Sequence, residues 1–141
     1  MRVSAAPFSS PDVPRIAAFS ERLRGWSRVD ESDRWVRLRP PGGGPGLSFH
    51  HDEHYIAPTW PSTPGEQLTM VHLDIAVDDV EASVAWATEA GASLAAHQPQ
   101  PHVRVMLDPD GHPFCLFAGP PRGEFDLVEW NGTSPIDGAE G

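Results

Sequence analysis

The chain has 141 residues, of which ten are basic and twenty are acidic, so its formal net charge is −10 at pH 7. That length suits one domain with a proper core, or two small modules that share one. The negative charge disfavours nucleic-acid backbones and anionic membrane surfaces as partners. The single cysteine, Cys115, excludes an intrachain disulfide, and no apolar run approaches the roughly 20 residues that span a bilayer. We therefore expect a cytoplasmic protein that binds neither nucleic acid nor membrane.

Residues 1–51 carry the pattern of a βαβββ module. A weak strand at Arg2 to Phe8 precedes an apolar stripe at helical spacing, which Asp12 caps and Gly25 ends. Residues 52–67 are rich in Pro, Thr and Ser and predict a linker. Alternating residues predict three strands between the helix and this linker, at 26–30, 35–39 and 47–51.

The stretch from Met70 to Val80 predicts a strand that buries one face. Its apolar residues alternate with His72 and Asp74, which is the period of a half-buried strand. Asp78 and Glu81 then predict a capping box at the start of a second helix. Three further strands are predicted after this helix, at 93–97, 102–107 and 113–118.

The second half of the chain repeats the first at a spacing of 67 residues. Asp12-Val13 corresponds to Asp79-Val80, and residues 36–38 correspond to residues 103–105. Such self-similarity constrains the whole fold. It predicts modules at 1–51 and 68–119, the linker at 52–67, and a C-terminal tail at 120–141 whose apolar residues dock, namely Phe125, Leu127, Val128 and Trp130.

Paired βαβββ units, with HLDIAVDDV opening the second unit and DPDGHPFCLF closing it, resemble the vicinal oxygen chelate superfamily. Within it they resemble the bacterial glyoxalase-like domain proteins, which share the bleomycin-resistance and dioxygenase-like fold. The resemblance implies an α+β fold, with two tandem βαβββ modules forming one cupped eight-stranded mixed sheet and the helices outside. It also implies a divalent metal held by the first and last strands of each module, usually through His and Glu.

The metal-ligand positions of that superfamily fall on four residues of this chain. With the 67-residue spacing they are Ala5, Ser48, His72 and Cys115. His72 alone has the usual identity, whereas a catalytic zinc or iron site needs about three protein ligands. We therefore expect no metal cofactor of the usual kind.

Alternation along the strands predicts which side chains face a cleft between the modules. Arg37 and Arg104 are equivalent in the repeat and can bracket a carboxylate, while Trp35 and Phe117 can sandwich a planar ligand. Tyr55 or Trp60 of the linker can cover the mouth. The complete predicted set is Trp35, Arg37, Ser48, His50, His72, Asp74, Ala76, His102, Arg104, Met106, Cys115 and Phe117.

This set favours a protein that binds a small planar or anionic metabolite in the cleft without a metal. The alternative is a metal-dependent lyase, isomerase or dioxygenase with a displaced site on His72 together with His50 or Cys115. Structural interpretations stay open beside these: a hydrogen-bonded His72, arginines paired with strand carboxylates, and Cys115 as a small buried apolar residue. The sequence also leaves open whether the protein is an enzyme and whether it forms a homodimer.

Overall fold

The computed structural model describes residues 1–119, which form two βαβββ modules in tandem. The predicted α+β class and the two-module repeat are confirmed. The predicted tail at 120–141 lies outside the described residues. The first module contains β1 (Ala5–Ser10), α1 (Val13–Arg24), β2 (Ser27–Ser32), β3 (Trp35–Arg39) and β4 (Gly46–His51). The second contains β5 (Leu73–Val77), α2 (Val80–Ala90), β6 (Ser93–Leu94), β7 (Val103–Leu107) and β8 (Pro113–Ala118).

The eight strands form two four-stranded sheets, one in each module. The strand orders are β1-β4-β3-β2 and β5-β8-β7-β6. In each sheet the first strand runs parallel to the last strand of its module, and the other pairs are antiparallel. Both sheets are therefore mixed, and β5 lies at the edge of its sheet.

Each helix begins at an aspartate and ends at a glycine. Asp12 accepts a hydrogen bond from the Arg15 backbone N–H, and Gly25 ends α1 in the left-handed conformation. The prediction that Asp78 caps α2 is wrong, because Asp79 is the residue that accepts from the Ala82 backbone N–H, at 2.9 Å. Its extended backbone places its carboxylate over the first turn of α2.

The two modules share one apolar core. Ile16 and Phe19 of α1 are fully buried and pack with residues of both sheets, and the rings of Phe19 and Phe114 lie 6.3 Å apart. Ala87 and Ala90 of α2 belong to the same cluster. Both helices therefore cover sheet faces that contribute to this core, and the opposite face of the second sheet carries a smaller apolar cluster of its own.

Strand β7 is shifted by one residue relative to β3. Trp35 pairs with His50 in the first module, and Val103 pairs with Phe117 in the second. His50 and Phe117 are 67 positions apart, whereas Trp35 and Val103 are 68 apart. Because side chains alternate across a strand, this single extra residue exchanges the two faces of β7 relative to the predicted ones.

The edge strand β6 is shorter than its predicted range of 93–97. Beyond Leu94 the side chain of Gln98, rather than strand backbone, binds the edge of β7. Its Nε2 donates to the Val105 carbonyl and its Oε1 accepts from the Val105 N–H, both at 2.9 Å. Residues between β4 and β5 form neither helix nor strand. Among the described residues, no helix is long and apolar enough to cross a membrane.

Candidate functional site

A cleft of about 580 Å³ lies on the face of the second sheet that turns away from α2. Its apolar walls include Val103, Val105 and Phe117, and the half-buried ring of Trp60 closes one side. The Trp60 indole N–H donates to the His97 carbonyl at 3.0 Å, which fixes the linker over the sheet. The full lining is Trp60, His72, Asp74, Pro99, Gln100, His102, Val103, Val105, Cys115, Phe117 and Ala118.

Three side chains with nitrogen, oxygen and sulfur donors meet on the floor of this cleft. His72 and Asp74 are two residues apart on one face, and their Nε2 and Oδ1 atoms lie 3.2 Å apart. Asp74 pairs with Cys115 in the parallel ladder between β5 and β8, which brings the thiol beside the carboxylate. One donor atom from each of the three residues lies within 4.8 Å of the others. We call His72, Asp74 and Cys115 the donor cluster.

The thiol of Cys115 is a weak acid in this position. Burial, followed by the negative charge and hydrogen bond of Asp74, raises the pKa of Cys115 to about 11. Without a bound metal, Cys115 is therefore a neutral thiol at pH 7, and a neutral thiol is unsuited to nucleophilic catalysis. The side chains of His72 and Asp74 are 39% and 52% exposed, so both can contact a molecule in the cleft.

Two residues predicted for the cleft lie on the opposite face of β7. Met106 is fully buried in the core shared by the modules. Arg104 donates through Nη2 to Glu81 of α2 at 3.1 Å, so it lies on the helix side of the sheet. The orientation predicted for both residues is wrong, because the one-residue shift of β7 exchanges its faces. Val103 and Val105 take their places, and His102, just before the strand, lies at the rim.

The candidates from the first module do not line this cleft. Arg37 is paired with Asp30, with 3.6 Å between Nε and Oδ2, and His50 Nε2 lies 3.0 Å from the Ser9 hydroxyl. Trp35 is exposed and Ser48 is buried. The prediction of a cleft lined by both modules is thus wrong for this cavity. Each sheet is built from the strands of one module, and only the second sheet and the linker line the cavity.

The linker residues Tyr55 and Trp60 have different roles. Trp60 covers the cleft, but the Tyr55 hydroxyl donates to the Asp110 carbonyl at 2.7 Å, away from the cleft. Gln100, Val103 and Val105 also line the cleft, although alternation along the strands does not predict them there. The ladder between β7 and β8 is the feature that identifies the two valines, because Val103 pairs with Phe117 and Val105 pairs with Cys115.

The donor cluster fits a divalent metal in number and in chemistry. Imidazole, carboxylate and thiolate are all zinc ligands, and a catalytic zinc site uses three protein ligands and one open position. His50, the other histidine proposed for a displaced site, does not belong to the cluster. A metal here would be held by His72, Asp74 and Cys115, all from the second module.

The glyoxalase-like domain family matches residues 5–117 of the chain. The chain belongs to this family. Solved structures share the fold of this glyoxalase-like domain protein at low sequence identity, and no curated protein matches it. A glyoxalase/bleomycin resistance protein/dioxygenase family enzyme from Burkholderia phytofirmans PsJN is 22% identical, with a TM-score of 0.61 over 82% of this chain and 97% of that one.

Two other solved structures are similar to this glyoxalase-like domain protein. A glyoxalase-related enzyme from Fulvimarina pelagi is 18% identical, with a TM-score of 0.64 over 85% of this chain and 89% of that one. The fosfomycin resistance protein FosX from Mesorhizobium loti is 16% identical, with a TM-score of 0.61 over 84% and 92% of the two chains. At these identities the likeness concerns the fold.

Proposed function

We propose that this glyoxalase-like domain protein binds a small planar metabolite in the cleft of its second module. The observation that carries the proposal is the combination of about 580 Å³ of space with apolar walls and one polar floor. Small-molecule sites typically have volumes of about 300–1,000 Å³ and a few polar groups that orient the ligand. Trp60 and Phe117 offer aromatic faces, and His72 and His102 offer hydrogen bonds.

A planar ligand without a negative charge is favoured over an anion. The anion was expected because Arg37 and Arg104 were predicted to bracket a carboxylate. Arg37 instead pairs with Asp30, and Arg104 pairs with Glu81. The floor of the cleft carries the Asp74 carboxylate, which repels an anion and accepts hydrogen bonds.

A thermal-shift screen of aromatic and heteroaromatic metabolites against the full chain tests this proposal. A ligand at one hundred times its Kd adds about 2.7 kcal/mol to the free energy of unfolding. We expect Trp60→Ala to weaken the best ligand about tenfold, because it removes one aromatic wall. Trp35→Ala is the matched control, since Trp35 is exposed on the other module, and its affinity should equal that of the unchanged protein. Equal weakening by both substitutions, or no ligand in a broad panel, would contradict the proposal.

The donor cluster supports a second candidate function, a metal-dependent enzyme. A divalent metal at His72, Asp74 and Cys115 would supply Lewis-acid chemistry at the floor of the cleft. Elemental analysis of untagged protein, followed by titration with Zn²⁺ after chelation, tests this function. We expect one metal per chain, lost in His72→Ala and kept in His50→Ala. Protein that neither carries nor takes up metal would remove this candidate and leave the first intact.

A further inference from the structure

A second depression, which we call the inter-module groove, lies on the other side of β5 from the cleft. It has a volume of about 440 Å³ and separates the end of α1 from β5 and α2. Leu23 and Trp26 come from the first module, and Trp86 comes from α2. The Trp86 indole N–H donates to the Leu23 carbonyl at 3.1 Å, which joins the two walls. The groove is mainly apolar, with Arg24, Asp74 and Ser83 as its polar members.

The apolar face of β5 that lines the groove is only partly covered by the described residues. Leu73, Ile75 and Val77 point from β5 toward the shared core, yet all three are only half-buried. β5 is an edge strand, and no helix or strand among residues 1–119 pairs with its outer side. Trp86 is 55% exposed beside them. A contiguous apolar surface of this kind marks a docking site.

The described chain ends beside β5, the strand that forms one wall of this groove. The Gly119 backbone N–H donates to the carbonyl of Val77, which lines the groove, at 3.1 Å. A Cβ at position 119 would lie 2.5 Å from the Ala76 Cβ, so glycine lets the chain pass close against β5. Gly119, the last described residue, therefore lies beside the Val77 end of β5. Six residues span about 20 Å when extended, more than the roughly 17 Å of a five-residue strand such as β5.

The sequence after Gly119 carries apolar residues within a chain length that can reach along β5. Phe125, Leu127, Val128 and Trp130 fall within one short segment and are interspersed with Glu124, Asp126 and Glu129. We propose that residues 124–130 of the same chain occupy the inter-module groove and bury the apolar face of β5.

Charge complementarity supports the same occupant. Arg24 lines the groove, and its guanidinium donates to the Ser20 hydroxyl at 3.4 Å, a long hydrogen bond. Burial lowers the pKa of Arg24 to about 10, an effect that the charge of Asp108 partly offsets. An acidic residue of the segment would give this partly desolvated cation a close carboxylate. The groove lies on the far side of β5 from the cleft and shares only Asp74 with its lining, so this inference does not depend on the proposed function.

Disulfide trapping in the full chain tests the proposal. Ser83→Cys places a thiol in the groove wall, and Leu127→Cys places one in the segment. We expect the double variant to form an intramolecular disulfide under mild oxidation, at least tenfold faster than the control pair Asp33→Cys and Leu127→Cys. Asp33 lies in the exposed turn between β2 and β3. Peptide mass spectrometry separates the new disulfide from the buried thiol of Cys115.

Three results would overturn the proposal. One is an equal rate for the two cysteine pairs, and another is a disulfide that joins two chains, which would assign the groove to a second copy. The third comes from hydrogen exchange on variants without engineered cysteines. We expect Phe125→Ser with Trp130→Ser to speed amide exchange in Leu73–Val77 at least fivefold, and Ile136→Ser, outside the segment, to leave it unchanged. Unchanged exchange in the double variant, with the fold intact, contradicts the docking.

Discussion

Asp110 and Arg15 form an ion pair of 2.5 Å between Oδ1 and Nη2, although they lie 95 positions apart in different modules. The Asp110 side chain is fully buried, and its other oxygen accepts from the Ser10 hydroxyl at 2.5 Å. The Asp110 carbonyl accepts from Tyr55 of the linker. The turn between β7 and β8 therefore anchors the second module to both the first module and the linker.

We expect Asp110→Asn to lower the free energy of unfolding by about 2 kcal/mol, because it removes a charged acceptor from a buried hydrogen bond with Ser10 and a partly buried one with Arg15. Urea denaturation followed by circular dichroism measures the loss. Asp30→Asn is the matched control, because the Asp30 side chain is 52% exposed in its pair with Arg37. Its cost should stay within about 0.5 kcal/mol. Equal effects of the two substitutions would show that the Asp110 ion pair does not hold the modules together.

The pH dependence of stability should depend on His112. Burial by itself lowers the pKa of His112, but the hydrogen bond and charge of Asp108, together with the charge of Asp110 and a hydrogen bond to the Ser9 backbone, raise it above the ordinary 6.5. The folded state therefore binds a proton more tightly than the unfolded state. The resulting stabilisation is complete below pH 6.5 and disappears as the pH rises through the folded pKa.

Denaturation of His112→Asn and the unchanged protein at several pH values tests this expectation. The difference in unfolding free energy should be largest below pH 6.5 and should shrink toward alkaline pH. His54→Asn serves as the control for replacing a surface imidazole, because the His54 side chain is 89% exposed. A difference that grows with pH would refute the assignment of the proton to His112.

The cap of α2 can be tested with two substitutions at one position. Asp79→Ala should cost about 1 kcal/mol, because the Ala82 backbone N–H loses its side-chain acceptor. Asp79→Ser restores an oxygen that can accept this hydrogen bond and should recover most of the loss. Thermal denaturation measures both. If alanine and serine behave alike, the hydrogen bond to Ala82 does not stabilise the helix.

Met106 and Arg104 lie on the same, helix-facing side of β7, yet their replacement should differ in cost because only Met106 is fully buried. Met106→Ala should cost about 3 kcal/mol, because it leaves a cavity in the shared core. Arg104→Ala should cost about 1 kcal/mol or less, since its partner Glu81 is 76% exposed. Arg104→Ala should also leave the affinity of any cleft ligand unchanged in calorimetry. Weaker ligand binding in Arg104→Ala would place its side chain in the cleft, contrary to the ion pair with Glu81.

Local patterns were enough to predict most of the secondary structure. Strand β3 was predicted at its observed bounds, and so was β8, because each alternates cleanly between flanking turns. The cap of α2 was missed by one residue, since Asp78 and Asp79 are chemically equivalent in the sequence and only the backbone at the end of β5 distinguishes them. Strand β6 was predicted too long because the role of Gln98 depends on its contact with β7.

The candidate site was also predicted correctly in one part and wrongly in another. His72, Asp74 and Cys115 were predicted on one face, and Asp74 is the cross-strand partner of Cys115 in the structure. The prediction that Arg37 and Arg104 bracket a carboxylate failed because an average repeat spacing cannot reveal a single inserted residue. One extra residue exchanges the two faces of a strand, and here it turns Arg104 away from the cleft. Whether the predicted face binds a ligand remains a proposal.

The sequence by itself determined two βαβββ modules and the alternation that brings His72 and Asp74 to one face, because these depend on periods of two to four residues and on one long repeat. The family was indicated by the resemblance of the motifs that open and close the second module. Tertiary structure alone decided that Arg104 turns to α2, that Trp60 covers the cleft and that Asp110 joins the modules. Those relationships depend on strand register and on contacts between residues far apart in the chain, and local periodicity contains no information about either.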